Sequence, residues 1–219
     1  IHFLSYPVSD FGTEKIDSIE VPGRVGTLTR RTGEYSDTTI ENEIEFRAAD
    51  RNEHELKMLE IRKFLMSTGR VVYTDMEDYY FRVKKVSIDD IKKKYGIFGN
   101  VTVTFTCDPV MYLQEGDVSV PISGTLRLYN PWSESHPIFK ISGEGVCKIT
   151  VNGKEVSANV GQNLLINADL MQAYREDGAL NNTAITGDYE DLYLQEGLNE
   201  ISVSSGFTAE VIPKWGVRL

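Results

Sequence analysis

Cys107 is the most inherently reactive side chain of this sequence, and it is one of only two cysteines among 219 residues. A cysteine attacks as its thiolate, which a neighbouring base, usually a histidine, must stabilise. The chain has only three histidines, and this scarcity also disfavours a zinc site, which needs about four closely spaced ligands. None of the three histidines lies in a recognisable catalytic motif: His2, His54 and His136.

The pattern around Cys107 predicts a strand rather than a catalytic loop. In the segment VTVTFTCDPVMYL, residues 101 to 113, apolar side chains alternate with threonines up to Cys107. Alternate residues share one face of a strand, so we expect Cys107 to be a small buried hydrophobic residue. Pro109 cannot extend a central ladder and is expected to end the strand. Cys147 is not in C-x-x-C spacing with Cys107, which predicts two free thiols.

Carboxylates are the remaining candidates for catalysis or metal binding. A glycosidase needs two of them across a cleft, and calcium takes oxygen ligands that can share a loop. The sequence contains no phosphate-binding glycine loop, no G-x-S-x-G motif and no twelve-residue calcium-loop pattern. We therefore predict no enzyme and no cofactor, with a calcium site at Asp188, Glu190 and Asp191 as the less favoured alternative. The other acidic candidates are Asp169 and Asp177.

Aromatic side chains in the second half suggest a binding surface. A row of aromatic rings on one sheet of a small β-sandwich can stack on sugars, and packing in the core is the alternative. Trp215 follows Val-Ile-Pro close to the last residue, so we expect it to pack and to fasten the final strand. The candidates for contact with a glycan or a partner are Trp132, Tyr174, Tyr189 and Tyr193.

The net charge of −10 disfavours nucleic acid as a ligand, because a duplex binder needs a basic surface that displaces counterions. Residues 1–116 carry 16 basic and 20 acidic side chains, whereas residues 117–219 carry 7 and 13. The excess of acid favours solubility. A surface that faces a basic partner, or that repels DNA without binding it, is the alternative interpretation.

The first half mixes predicted strands with one helix. Strands are predicted in SIEVPGRVGTL, around a Pro-Gly turn, and in TTIENEIEF, where apolar and polar residues alternate. A helix is predicted over residues 52–68, with Asp50 and Glu53 as a capping box and Gly69 as C-cap. Its apolar residues cover more than one stripe, so we expect packing on more than one side.

A second hairpin is predicted downstream of the helix, with residues 71–73 leading in, a turn at residues 75–78, and residues 79–88 returning. The run Lys92, Lys93 and Lys94 predicts a solvated loop, or an arm that touches a neighbouring subunit. The strand of residues 101–107 completes this half of the chain.

Beyond residue 116 the helix pattern disappears. Short runs of Val, Ile, Leu and Tyr are separated by turn residues at about ten-residue spacing, which is typical of an antiparallel sandwich or barrel. The segment VNGK, residues 151–154, predicts a hairpin because Asn-Gly supplies the two positive-φ residues of a type I′ turn. We predict a mainly β protein with one helix in its N-terminal domain, residues 1–116, and a C-terminal β-sandwich, residues 117–219.

The sequence has no run of about 18 uncharged apolar residues, and its start lacks the pattern of a signal peptide. We therefore expect a soluble chain without a membrane partner. Because residue 1 is Ile rather than Met, we also expect that residues forming a short first strand precede it.

Three motifs occur in a fixed order along nearly the whole chain. They are Val-Pro-Gly-Arg-x-Gly at residues 21–26, Phe-x-Cys-x-Pro-x-x-Tyr at residues 105–112 and Pro-x-Trp at residues 213–215. A predicted helix and the segment ITVNGKEV lie between them. Together, their order and spacing resemble the distal tail proteins of long-tailed phages and prophages of Gram-positive bacteria.

The resemblance implies a structural protein of the virion tail tip or baseplate, made in the bacterial host cytoplasm. In that family the N-terminal belt domain has a β-sandwich or barrel-like fold and assembles into a hexameric ring that continues the tail tube. A galectin-like or carbohydrate-module-like sandwich points outward. The implied partners are further copies of the chain, the tail tube protein, the tail-associated protein and receptor-binding or adaptor proteins. DNA is expected to pass through the ring without specific binding.

The first turn motif, the helix and the lysine run are the expected sites of contact between copies. A carbohydrate-binding or host-adhesion module that acts through the C-terminal sandwich is the alternative function. The expected interface residues are Val21, Pro22, Gly23, Arg24, Leu56, Leu59, Lys92, Lys93 and Lys94.

Overall fold

The computed structural model describes residues 2–4, 8–89, 92–94 and 97–218. The chain forms two compact units that divide between Met111 and Tyr112. We call them the N-terminal unit and the C-terminal unit and describe each by itself. Within the described residues, no helix is long and apolar enough to cross a membrane.

The N-terminal unit is built mainly from strands. Its principal sheet has the order β1-β5-β9-β7-β6, with β2 also paired to β5 and β8 to β9, while β3 and β4 form a separate two-stranded sheet. The described elements are β1 (His2–Phe3), β2 (Val8–Asp10), β3 (Glu14–Ile19), β4 (Leu28–Tyr35), β5 (Thr38–Arg47), α1 (Arg51–Met66), β6 (Arg70–Val71), β7 (Tyr79–Ile88), β8 (Lys92–Lys94) and β9 (Phe98–Leu113).

The core of this unit follows from alternation in β5 and β9. Ile40 lies opposite Phe105 and Ile44 lies opposite Val101 in the antiparallel register. All four side chains are buried, and Cys107 belongs to the same cluster. Helix α1 covers this face of the sheet with partly buried apolar side chains, Ile61 and Leu65 among them. The alternation predicted for TTIENEIEF is therefore confirmed.

Helix α1 begins as predicted but ends earlier. The Asp50 carboxylate accepts a hydrogen bond from the Glu53 backbone N–H at 2.9 Å, and the Glu53 carboxylate accepts one from the Ala49 N–H. The predicted C-cap at Gly69 is wrong, because Ser67 takes that position. Its hydroxyl donates to the Phe64 carbonyl at 2.7 Å, which satisfies an acceptor at the helix end.

Two strand predictions need correction. Strand β9 continues through Pro109 to Leu113, so Pro109 does not end it. The pairing of β9 with β5 stops at Cys107, and the missing N–H of Pro109 therefore breaks no hydrogen bond to β5. The run Lys92 to Lys94 is the short strand β8, paired with residues 98–100 of β9, rather than a loop. The predicted hairpin of β6 and β7 is confirmed by the pair Val71 and Phe81.

The C-terminal unit is an antiparallel β-sandwich. Its strands follow the order β10-β17-β12-β13-β14, with β11 paired to β16, β16 also paired to β12, and β15 paired to β13. This confirms the mainly β prediction. The described strands are β10 (Val120–Ile122), β11 (Thr125–Asn130), β12 (Ile138–Val151), β13 (Lys154–Asn167), β14 (Gln172–Tyr174), β15 (Ile185–Thr186), β16 (Gly197–Val203), β17 (Thr208–Ile212) and β18 (Gly216–Arg218).

Strands β12 and β13 have 14 residues each and form a long hairpin, whose turn is the predicted one. Val151 pairs with Lys154 across a two-residue turn. Asn152 has φ of 51° and Gly153 has φ of 84°. Both values lie in the left-handed region that a type I′ turn requires, so the hairpin prediction for VNGK is confirmed.

The chain near Trp215 is anchored within the C-terminal unit. The Leu113 N–H donates to the Trp215 carbonyl at 2.9 Å, and the Lys214 N–H donates to the Gly116 carbonyl at 2.8 Å. The Lys214 ammonium also lies 2.8 Å from an Asp117 carboxylate oxygen. The Trp215 side chain is buried.

Candidate functional site: assembly surfaces

A hairpin extends from the N-terminal unit with little cover from the rest of the chain. We call residues 14–35 the hairpin arm. Its strands β3 and β4 pair with each other in a sheet of their own, and every residue from 15 to 34 is exposed. A two-stranded hairpin without a third strand or a covering helix is marginally stable in water. The exposure of this arm makes it a candidate assembly surface.

The end of the arm is apolar. We call residues 19–28 the tip, and Ile19 pairs with Leu28 at its base. Val25 is fully exposed, and the Arg24 N–H closes a turn by donating to the Val21 carbonyl at 3.1 Å. The turn also contains Gly23, whose φ of 82° favours glycine. Four exposed apolar side chains thus cluster in sequence at the tip: Ile19, Val21, Val25 and Leu28.

The stem of the arm contributes little stability of its own. Lys15 and Glu34 form an ion pair at 3.0 Å, and Arg31 lies 3.4 Å from Glu14. Three of these four side chains are more than half exposed. Exposed pairs of this kind contribute about 1 kcal/mol or less. Cross-strand ion pairs therefore do not replace the packing that the arm lacks.

Helix α1 carries a second exposed apolar surface. Its inner side turns His54, Ile61 and Leu65 toward the sheet. Helical periodicity places Leu56, Leu59 and Met66 on the opposite side, and it places Phe64 on the flank between Leu56 and the inner residue Ile61. We call these four residues the outer face of α1. Each is more than half exposed, with 71% for Phe64 as the largest value: Leu56, Leu59, Phe64 and Met66.

The sheet of the N-terminal unit has an acidic face. On β5, Glu41, Glu43 and Glu45 alternate with the buried core residues and therefore point away from the core. Their partners on β9 are neutral, because the register places Thr104, Thr102 and Asn100 opposite them. The row ends at Arg47, an exposed cation on the same side of β5 whose guanidinium lies over the Phe98 ring. We call the side chains of Glu41, Glu43 and Glu45, with their neutral partners on β9, the acidic face.

Two basic residues on β7 are already engaged by carboxylates. The Lys84 ammonium lies 2.6 Å from an Asp37 oxygen and 2.9 Å from an Asp108 oxygen. Arg82 donates through its Nε to the same Asp108 carboxylate. Asp108 is only 5% exposed, so these two cations balance a buried charge. Sequence reasoning missed this cluster because its members are distant along the chain.

Cys107 is a buried thiol. None of its side chain is exposed, and Cys147 is equally buried. Burial, with a smaller effect from the Asp108 and Asp37 charges, raises the pKa of Cys107 to about 12. Burial also raises the pKa of Cys147. Both cysteines are free thiols in the structure.

We expect Cys107 to react slowly with a thiol reagent until the chain unfolds. A rise of its pKa from 9.0 to about 12 lowers the thiolate fraction at pH 8 by about 1,000-fold. The measurement is the rate of labelling by a maleimide in native buffer and in denaturant, read by mass spectrometry. Fast labelling of Cys107 in the folded chain, or a native mass two units lighter from a disulfide, would contradict this expectation.

The aromatic residues predicted for glycan or partner contact are only partly open. Each ring is half-buried, and Tyr193 stacks on His136 with ring centroids 4.0 Å apart. Sequence reasoning missed Tyr129, which is 69% exposed beside the exposed Leu198 of the neighbouring strand. We call Tyr129 and Leu198 the exposed platform, and only the pairing of their strands brings these two residues together. The half-buried rings are those of Trp132, Tyr174, Tyr189 and Tyr193.

The acidic residues near position 190 form an ion pair with a lysine of the same chain. The Lys154 ammonium lies 2.8 Å from an Asp191 carboxylate oxygen. Across the part of the chain that the structure describes, no cluster of three or more His, Cys, Asp or Glu side chains is arranged to hold a metal ion.

Comparison with known proteins finds a matching family model and a similar solved structure. Residues 2–107 match a family model described as the phage tail protein RIFT-related domain. The fold resembles the crystal structure of the Dit protein (gp 19.1) of SPP1, described as a paradigm of the hub adsorption apparatus in phages that infect Gram-positive bacteria. That match has a TM-score of 0.65 at 15% sequence identity, and it covers 95% of this chain and 92% of that one.

A search of curated proteins gives no significant match. The family model covers most of the N-terminal unit, and the fold match extends over both units. Both agree with the order of motifs in the sequence. Residues 2–107 of the N-terminal unit therefore match the phage tail RIFT-related domain, and the chain as a whole shares the fold of a phage tail hub protein.

Proposed function

We propose that this protein forms a hexameric ring at the tail tip and joins the tail tube to the tail-associated protein and the receptor-binding apparatus. The observation that carries the proposal is the exposure of two different apolar surfaces on one unit, the hairpin arm and the outer face of α1. An interface between two different patches is heterologous, and it closes into a ring when its rotation divides a full turn.

The proposed belt domain is residues 1–116, and the interface is assigned to its exposed surfaces. Val21, Pro22, Gly23 and Arg24 lie in the tip of the arm, and Leu56 and Leu59 lie on the outer face of α1. All six are exposed. The structure describes the backbone of Lys92, Lys93 and Lys94 as strand β8, and their side chains lie outside its description. The lysine run therefore stays a proposed contact on sequence grounds.

The acidic face suits the lining of a channel through which DNA passes. Glu41, Glu43 and Glu45 present three carboxylates beside neutral Thr and Asn side chains. Negative charge repels the phosphate backbone, and neutral hydroxyl groups offer no counterion-releasing contacts. We assign this face to the channel of the ring.

The C-terminal unit is proposed to act as the outward-pointing, galectin-like sandwich, residues 117–219, which contacts receptor-binding or adaptor proteins. Its exposed platform of Tyr129 and Leu198 also supports the alternative of a carbohydrate-binding or host-adhesion module. Mass in solution and a glycan-binding screen separate these functions, because a scaffold forms rings and binds no glycan tightly. The chain is proposed to be made in the host cytoplasm and to reside in the virion tail tip.

We expect the whole chain, and residues 1–116 alone, to form rings at high protein concentration. Residues 117–219 should stay monomeric, because the proposed surfaces all lie in the N-terminal unit. Light scattering and negative-stain imaging of the three chains measure this. An isolated ring lacks contacts from its neighbours in the tail, so the tail tube protein is added where rings are sparse. Rings from residues 117–219 alone, or a chain that stays monomeric even with the tail tube protein, would overturn the proposal.

A further inference from the structure

We propose that the tip of the hairpin arm in one copy lies on the outer face of α1 in the next copy. This inference rests on the proposed ring and adds the pairing of surfaces within it. The tip offers Ile19, Val21, Val25 and Leu28, and each is more than 40% exposed in its own chain. The outer face of α1 offers four further apolar side chains, each at least 60% exposed.

A second copy of the chain is the occupant that satisfies both surfaces together. Every copy carries one tip and one outer face of α1, so a closed ring covers all tips and all helices with no surface left over. Covering both surfaces with foreign proteins would take two different partners, whereas one repeated contact between copies covers both. Isolated patches of this kind are unfavourable in a soluble assembly.

The dimensions of the two elements are compatible with this pairing. Strand β3 has six residues, so it spans about 20 Å at the usual rise per strand residue. Helix α1 has 16 residues, which corresponds to about 24 Å of helix. The arm therefore holds its tip well away from its own base, where a neighbouring copy can meet it, and the helix is long enough to carry the apolar residues over several turns.

Charge supports the same pairing. Arg24 is exposed at the centre of the tip, between Val21 and Val25. On α1, Glu60 is exposed four residues after Leu56, which places its carboxylate beside the apolar stripe. The exposed Lys63 lies within the stripe, four residues after Leu59, and the exposed Glu20 of the tip supplies the matching negative charge. When the tip covers that stripe, the Arg24 guanidinium meets the Glu60 carboxylate at the rim of the contact. A guanidinium matches a carboxylate with two parallel hydrogen bonds.

Disulfide trapping tests the pairing in the assembled ring. Val25→Cys and Leu59→Cys chains are purified separately, mixed with the tail tube protein present if rings require it, and treated with a mild thiol oxidant. We expect covalent dimers that contain one chain of each kind. Both positions are exposed, so neither substitution disturbs the core, and melting temperatures confirm this. The matched control replaces Leu59→Cys with Asp75→Cys, in the exposed turn before β7, and should give no mixed dimer.

Charge reversal provides a second readout that does not depend on trapping. Arg24→Glu should raise the dissociation constant between copies at least 10-fold, because two carboxylates then face each other. The double variant Arg24→Glu with Glu60→Arg should recover most of that loss. Asp75→Lys, which changes an exposed charge elsewhere on the unit, should leave the constant within twofold of the wild type.

The outcomes separate this inference from the proposed function. Rings that form without a Val25–Leu59 link and without recovery in the double variant overturn the pairing and leave the ring intact. Disulfide links between two tips, or between a tip and the tail tube protein, would show that the arm contacts a different partner. Such links would also overturn the pairing of tip and helix. A wild-type chain that forms no ring under any condition overturns both proposals.

Discussion

Rings in which Glu41, Glu43 and Glu45 are all replaced by lysine should retain double-stranded DNA that wild-type rings release. Each substitution changes the local charge by two units, and the change repeats in every copy around the channel. Lysines on the acidic face would neutralise phosphates and release counterions, which raises affinity by orders of magnitude at low salt. The measurement is fluorescence anisotropy of a labelled duplex titrated with rings, repeated over a range of salt concentrations.

The control for this prediction places the same charge elsewhere. Glu144, Glu176 and Glu196 are exposed residues of the C-terminal unit, and their replacement by lysine gives the same net charge. We expect that variant to bind DNA weakly and with a shallower dependence on salt. Equal binding by the two variants would show that net charge alone governs the affinity, and it would contradict the assignment of the acidic face to the channel.

Features with local causes could be predicted from the sequence. The alternation in TTIENEIEF identified the buried face of β5, since a strand's side-chain period depends on neighbouring residues only. The Asn152-Gly153 turn identified the hairpin of β12 and β13 because few residues tolerate positive φ. The start of α1 followed from Asp50, whose carboxylate caps the helix within one turn.

Features that depend on distant partners could not be predicted. Pro109 looked like a strand terminus, but its effect depends on whether a neighbouring strand needs its N–H, and the register with β5 stops at Cys107. The cations that balance Asp108 come from β7, 24 and 26 residues earlier in the sequence. The separation of β3 and β4 from the main sheet depends likewise on pairings that sequence alone does not specify.

The candidate surfaces were identified only in part. Sequence reasoning named the Val21 to Arg24 turn and the Leu56 and Leu59 pair, but it missed Val25, which is the most exposed apolar side chain of the arm. The acidic face was also missed, although glutamates at every second position of a strand indicate an acidic surface. The sequence does not show which parts of each strand are covered by the rest of the chain. An apolar residue indicates an interface only when nothing in its own chain packs on it.

A chain with a shortened arm should keep its fold and lose its ring. The design deletes residues 18–29 and joins Asp17 to Arg30 through Asn-Gly, which suits a two-residue turn because Asp17 and Arg30 are paired in the register. All deleted residues are exposed, so we expect the melting temperature of the unit to change little. The deletion removes four apolar tip residues, and loss of such anchors should weaken association between copies by at least about 100-fold.

Light scattering over a range of concentrations and negative-stain imaging measure the loss. A second variant keeps the arm at full length and replaces Ile19, Val21, Val25 and Leu28 with serine. If apolar contact at the tip holds the copies together, both variants are monomeric at concentrations where the wild type forms rings. If only the shortened chain is monomeric, the backbone of the tip rather than its apolar side chains makes the dominant contact. Rings that persist in both variants would contradict this prediction, because neither variant has an apolar tip that could cover the exposed face of α1.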